Sequence, residues 1–182
     1  MMKIHYIDGQ YELPYPVGTH MQQAIAFIQN VMTVIKSIGN FPKSNIAIWC
    51  RGSSGAILAG LLSSEFYKLG MSEILVHHVK KDGEDSHNSN GSFYTQRHNI
   101  IIDDFIASGE TVNQIAYIMG MNSVKTIDYL IVSGIAMHTN EATCALELPH
   151  PVPKCIITRE SSFYREREDR LKKLIPTNLK KL

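Results

Sequence analysis

Short apolar runs bounded by turn residues alternate along this chain with longer stretches of helical period, and that alternation restricts what it can fold into. Residues 2–7 read as a first strand, after which Gly9, Pro14 and Pro16 break the chain. Met21, Ile25, Ile28, Met32 and Ile35 recur at helical spacing, so an amphipathic helix is expected over residues 18–38, closed by Gly39. A strand is expected over 45–50, a turn over 52–55, and a helix over 56–69 ended by Gly70. Further strands are expected over 74–79, 100–102, 126–133 and 154–158, with helices over 110–119, stopped by Gly120, and 163–174. Such alternation predicts βαβ units: an α/β fold with a central, mainly parallel sheet flanked by helices. In sheets of that kind ligands bind beyond the carboxyl ends of the strands. The strand-to-helix loops 51–55 and 103–111 are therefore the places where chemistry is expected.

Composition narrows the classes further. A chain of 182 residues fits one domain, and its 44% apolar content is enough for a substantial core. A net charge of +1 gives no global field to draw in nucleic acid or a membrane surface. The tail from Arg159 is locally basic, but Glu160, Glu166, Glu168 and Asp169 dilute it, as on a solvated amphipathic helix. Cys50, Cys144 and Cys155 have neither CxxC spacing nor an even count, so they read as small buried hydrophobes. No signal peptide and no apolar stretch of roughly 18 residues is visible, which points to a reducing, cytoplasmic setting.

The stretch Ile100-Ile101-Ile102-Asp103-Asp104-Phe105-Ile106-Ala107-Ser108-Gly109-Glu110-Thr111 carries the densest chemistry. An apolar strand delivers two adjacent carboxylates, a short loop follows, and a helix begins. Unpaired N–H groups at the start of that helix, with the hydroxyls of Ser108 and Thr111 and the backbone freedom of Gly109, suit a phosphate. Asp103 and Asp104 suit hydroxyl donors or a magnesium-bound ligand. A sugar phosphate satisfies both ends at once. The bland alternative is an acidic strand end that merely caps the next helix.

This segment resembles the phosphoribosyl pyrophosphate motif of the type I phosphoribosyltransferases: an apolar strand, two acids, about three variable residues, Ser or Thr, Gly, any residue, then Thr. The resemblance implies that Asp103 and Asp104 hold the ribose hydroxyls and that Ala107, Ser108, Gly109, Glu110 and Thr111 cradle the 5′-phosphate. The loop Cys50-Arg51-Gly52-Ser53-Ser54-Gly55 is similar to the family's pyrophosphate loop, with Arg51, Gly52 and Ser53 as anion donors. Members often carry a cis peptide there, which singles out the bond between Cys50 and Arg51. Residues 80–98 fall where the family has a mobile hood, so Lys80 and Lys81 are candidates to neutralise pyrophosphate. His77, His78, His87 and His98 lack metal-ligand spacing and read as strand or solvated histidines.

What the resemblance implies overall is displacement at the ribose anomeric carbon. Ribose 5-phosphate passes from phosphoribosyl pyrophosphate to a nitrogenous base, as in nucleotide metabolism and purine salvage. Pyrophosphate leaves with Mg2+ held mainly by substrate, with Asp103 and Asp104 as its only protein candidates. The run from Asp103 to Ala107 looks most like the xanthine type, which favours a purine over a pyrimidine. The resemblance spans mainly residues 45–133, within a single domain whose core covers about 18–158. Residues 1–17 and 159–182 are candidates for a hood over the base, with Tyr11, Tyr15, Phe163 or Tyr164 stacking on it or simply packing. A homodimer is implied as well. A second class stays open: a non-catalytic regulator of the same fold that binds phosphoribosyl pyrophosphate or a nucleotide.

Overall fold

The computed structural model describes residues 3–8, 21–80, 97–106, 108–135 and 154–159. The expected helix over 163–174 and the candidate hoods beyond Asp8 and Arg159 lie outside them, as do Lys81, His87, Ala107 and Cys144. The elements run β1 (Lys3–Asp8), α1 (Met21–Ser37), β2 (Ile46–Arg51), α2 (Gly52–Lys68), β3 (Ile74–Val79), β4 (His98–Ile106), α3 (Glu110–Met121), β5 (Tyr129–Ile135) and β6 (Lys154–Arg159). The six strands form one sheet in the order β1-β6-β5-β4-β2-β3, and every pair is parallel.

The central strands β2, β4 and β5 are largely buried on both faces, as a covered parallel sheet requires. In β2, Ile46, Ile48 and Cys50 join the cluster formed with α1 and α2, whereas Ala47 and Trp49 join the cluster formed with α3. Ile100 and Ile102 of β4 divide from Ile101 in the same way. This period of two, carried across strands with almost no polar residue, yields two apolar cores with the sheet between them. Helix α1 buries Ala24, Phe27, Ile28, Val31, Met32 and Ile35, a stripe at helical spacing. Met21 and Ile25, expected on that stripe, stand exposed at its margin.

Several boundaries differ from expectation. Residues 52–55 are the first turn of α2 rather than a separate loop: Gly52 takes φ +70°, a value glycine adopts without strain, and the helix starts there. Strand β4 continues through Asp103 and Asp104 to Ile106, because β5 keeps pairing with it as far as Ile135. Gly120 does not stop α3, which ends one residue later. Strand β5 begins at Tyr129 rather than residue 126, after a loop tied by Asp128 N–H donating to the Asn99 carbonyl at 2.8 Å.

The topology places the loops. From β2 the chain crosses through α2 to β3 at one edge of the sheet. From β4 it crosses through α3 to β5, moving toward the other edge. With right-handed crossovers, opposite directions of travel put the two helices on opposite faces. The clusters match, since α2 packs with the Ile48 side and α3 with the Trp49 side. The reversal falls between β2 and β4, the kind of switch point where open α/β sheets bind ligands.

Candidate functional site at the β2–β4 switch point

Strands β2 and β4 part company at their carboxyl ends. Their pairing runs from Ile46↔His98 to Trp49↔Ile101 and goes no further. By contrast β2 stays paired with β3 up to Arg51↔Val79, and β4 with β5 up to Ile106↔Ile135. Beyond Trp49 and Ile101 the two strands no longer pair, and the switch-point rule for open α/β sheets places a ligand crevice between Cys50, Arg51 and Gly52 on one side and Ile102, Asp103 and Asp104 on the other.

In both helices that follow these strands, the side chain of the N-cap residue itself makes no capping bond. Arg51 is the N-cap of α2, in extended conformation at φ −141° and ψ 145°, and its side chain makes no capping bond. Instead its Nε donates to the Lys80 carbonyl at 3.2 Å, which ties the guanidinium to the end of β3. Gly109 is the N-cap of α3 in the left-handed region, at φ +86°, where a Cβ would be strained. Ser108 Oγ accepts from the N–H of Glu110 at 3.3 Å, and the Gly109 carbonyl accepts the first helical bond from Asn113 at 3.0 Å. First-turn N–H groups have no acceptor within their own helix, so each amino end presents donors and a positive dipole end. The first turn of α2 contains no acid, and that of α3 contains only the exposed Glu110.

Close approach of α2 to the sheet depends on Gly55. A Cβ there would sit 3.3 Å from Cys50 Cβ and 3.7 Å from the Ile102 carbonyl oxygen. The helix amino end is thus drawn down onto the strands that flank the crevice.

The two carboxylates are not equivalent. Asp103 is only 6% exposed, whereas Asp104 is half-buried. Asp103 Oδ1 accepts from the Asp104 N–H at 3.0 Å, and the Asp104 carbonyl accepts from Ser133 Oγ on β5. The thiol of Cys50 is pushed up to about 12, first by burial and then by the nearby charge of Asp103. It is protonated and inert at neutral pH, in keeping with its expected role as a small buried hydrophobe. Cys155 is buried too.

The expected site residues divide as follows. Arg51, Gly52 and Ser53 stand at the end of β2, and Asp103, Asp104, Ser108, Gly109, Glu110 and Thr111 at the end of neighbouring β4. Lys80 reaches this end of the sheet through its carbonyl. Lys81 and Ala107 lie outside the described residues. The peptide bond between Cys50 and Arg51 is not cis: none is found among the described residues, and the change of chain direction is taken by the positive φ of Gly52. No group of three or more His, Cys, Asp or Glu side chains suited to a metal occurs among the described residues. His77 instead stacks on Trp49 with centroids 4.4 Å apart, and burial followed by the charge of Arg97 lowers its pKa. No helix among the described residues is long and apolar enough to cross a membrane.

Two contributors escape a reading of the sequence. Asn99 and Ser133 are, with Asp103, the buried polar residues of the described chain. Ser133 stands alone among the apolar residues of β5, and Asn99 directly precedes the Ile100–Ile102 run of β4; those positions were the only signal available.

No family model matches the sequence, and no curated protein matches it. Solved structures do. The adenine phosphoribosyltransferase of Trypanosoma brucei, in complex with AMP, pyrophosphate and ribose-5-phosphate, is 14% identical over 85% of this chain and 78% of its own, with a TM-score of 0.52. That of Saccharomyces cerevisiae, in complex with an imino-altritol bisphosphate and adenine, is 13% identical over 77% of this chain and 78% of its own, with a TM-score of 0.50. A further adenine phosphoribosyltransferase is 12% identical over 76% of this chain and 80% of its own, also with a TM-score of 0.50. At these identities the likeness is one of fold: this chain has the type I phosphoribosyltransferase fold.

Proposed function

We propose that this protein is a phosphoribosyltransferase that transfers ribose 5-phosphate from phosphoribosyl pyrophosphate to a nitrogenous base and releases pyrophosphate. One observation carries the proposal. Two helix amino ends whose N-cap residues make no side-chain cap stand at the carboxyl ends of adjacent strands that stop pairing there, and an Asp-Asp pair lies on one of those strands. Two anion sites separated by acceptors for hydroxyl groups match a sugar that bears phosphate at one end and pyrophosphate at the other.

In this scheme Asp103 and Asp104 accept hydrogen bonds from the ribose hydroxyls, and residues 107–111 hold the 5′-phosphate. Arg51, Gly52, Ser53, Lys80 and Lys81 hold the pyrophosphate. A base nitrogen forms a bond to the anomeric carbon as the bond to the pyrophosphate oxygen breaks, its electron pair leaving with the pyrophosphate and the proton of the base nitrogen passing to water or to the departing pyrophosphate. The chain contributes position and charge rather than proton transfer: it aligns the reactants and stabilises the departing oxygens. Two adjacent carboxylates are too few for an all-protein magnesium cage, but they fit an ion held mostly by diphosphate oxygens and water. Bound in that way, Mg2+ supplies neutralisation of the leaving group, with Asp103 and Asp104 as the protein groups able to reach it.

A purine is proposed ahead of a pyrimidine because the run Asp103-Asp104-Phe105-Ile106-Ala107 most resembles the xanthine type. One domain, hood segments at 1–17 and 159–182, a homodimer and a cytoplasmic location belong to the same proposal. The test is pyrophosphate release from phosphoribosyl pyrophosphate and Mg2+ with single purine and pyrimidine bases. Asp103→Asn/Asp104→Asn serves as control. Release that depends on one base and disappears in the control is the expected result. Tight binding of phosphoribosyl pyrophosphate without release for any base would assign the chain to non-catalytic binding, and absence of both would overturn the proposal.

A further inference from the structure

The backbone of Asp104 is held by side chains on both sides. Its N–H donates to Asp103 Oδ1 at 3.0 Å, and its carbonyl accepts from Ser133 Oγ. The β4–β5 pairing explains why a side chain is used. It runs from Ile100↔Tyr129 to Asp103↔Val132 and resumes at Phe105↔Gly134 in the same register, omitting Asp104 and Ser133. At this step a side-chain hydroxyl bonds the main chain across the two strands. Ser133 is 4% exposed, in a strand otherwise composed here of Tyr129, Leu130, Ile131, Val132, Gly134 and Ile135. A buried hydroxyl in such company is retained at a cost unless it has a partner, and its partner is the main chain of an acid at the crevice.

We infer that Ser133 is a positioning residue for the transfer reaction: by fixing the Asp104 carbonyl it sets the backbone angles from which the Asp104 carboxylate is aimed at the ribose hydroxyls. The inference rests on the phosphoribosyltransferase reading and deepens it. Ser133 touches no substrate. It acts through Asp104, as a group whose hydrogen bond holds a ligand in its productive orientation.

Threonine and valine have nearly the same shape and differ by a hydroxyl in place of a methyl, so the two variants at this position separate hydrogen bonding from packing. Ser133→Ala and Ser133→Val are expected to raise the KM for phosphoribosyl pyrophosphate by about tenfold, the equivalent of one lost hydrogen bond. Because the contact to the ribose exists in both ground and transition states, kcat should stay within about twofold. Ser133→Thr is expected to restore most of the KM, and the KM for the base should not move in any variant. The dissociation constant of ribose 5-phosphate, measured by calorimetry, should follow the same order and guards against a variant too unstable for kinetics. A lowered Tm in Ser133→Ala with unchanged KM and unchanged ribose 5-phosphate affinity would make Ser133 purely structural and overturn the inference alone. Equal KM values for the Thr and Val variants would do the same. If the wild-type protein neither turns over phosphoribosyl pyrophosphate nor binds ribose 5-phosphate, the transferase reading falls and takes this inference with it.

Discussion

The indole N–H of Trp49 donates to the side-chain carbonyl of Asn99 at 2.9 Å, bridging β2 and β4 just before the two strands separate. The rest of the Asn99 amide is engaged as well: Nδ2 donates to the Arg97 carbonyl at 2.8 Å, and its backbone N–H to Asp128 Oδ2 at 2.8 Å. Asn99 thus ties the start of the strand that carries the Asp pair to β2 through Trp49 and to the loop before β5 through Asp128. Asn99→Leu, close in volume, leaves the Trp49 N–H and the Arg97 carbonyl without that partner. It is expected to lower unfolding free energy by about 1 to 3 kcal/mol, the net worth of two lost hydrogen bonds. Urea denaturation followed by the emission of Trp49, the sole tryptophan, measures it.

Two glycines of α2 should respond to alanine with opposite signs. Gly60 has nothing within 4 Å of a built Cβ, so Gly60→Ala should gain about 0.5 to 1 kcal/mol from helix propensity. At Gly55 the same gain is opposed by Cys50 Cβ at 3.3 Å, on a fully buried strand that has little room to move. Gly55→Ala should therefore destabilise by about 1 kcal/mol or more. Thermal denaturation of both variants side by side checks the sign, and a stabilised Gly55→Ala would contradict the packing described for α2.

The Cys50 thiol gives a pH dependence with a definite direction. Its pKa in the folded protein is raised from 9.0 to about 12, by burial first and Asp103 second. Above pH 9 the unfolded chain therefore loses this proton while the folded chain keeps it. The stability associated with the protonated thiol is complete below pH 9 and declines as pH rises from 9 toward 12. Cys50→Ala should be less stable at neutral pH but show a shallower decline across that window. Native Cys50 should also resist alkylation at pH 8 and react once the protein is unfolded.

Arg51 is anchored through Nε to the Lys80 carbonyl, which fixes the orientation of its guanidinium plane. If that plane meets the pyrophosphate, Arg51→Met should weaken product inhibition by pyrophosphate by about 10- to 100-fold, the range of one charge-assisted hydrogen bond. Arg51→Lys should recover little, because an ammonium keeps the charge but has neither the fork nor the tether. Full inhibition in Arg51→Met would remove Arg51 from the pyrophosphate site.

Much of this architecture is written locally. Residues 74–79 are a strand in sequence and in structure, and β2 shifts by a single residue, because short runs rich in β-branched and apolar residues between turn residues determine an element within their own length. The Asp103-Asp104 pair and the Ser108-Gly109-x-Thr111 turn were equally visible, since a loop that suits a phosphate needs those residue types in that order. Where a helix could absorb a turn, as α2 absorbed residues 52–55, local signals were ambiguous and packing against Cys50 and Ile102 settled the boundary. The order β1-β6-β5-β4-β2-β3, the separation of β2 from β4 after Trp49 and Ile101, and the bonds from Asn99 to Trp49 and from Ser133 to Asp104 appear only in the tertiary structure. Those bonds join residues 50 and 29 positions apart. Periodicity and turn chemistry act over a few residues and specify the parts, whereas which strands become neighbours is set by how two apolar cores close on opposite faces of one sheet.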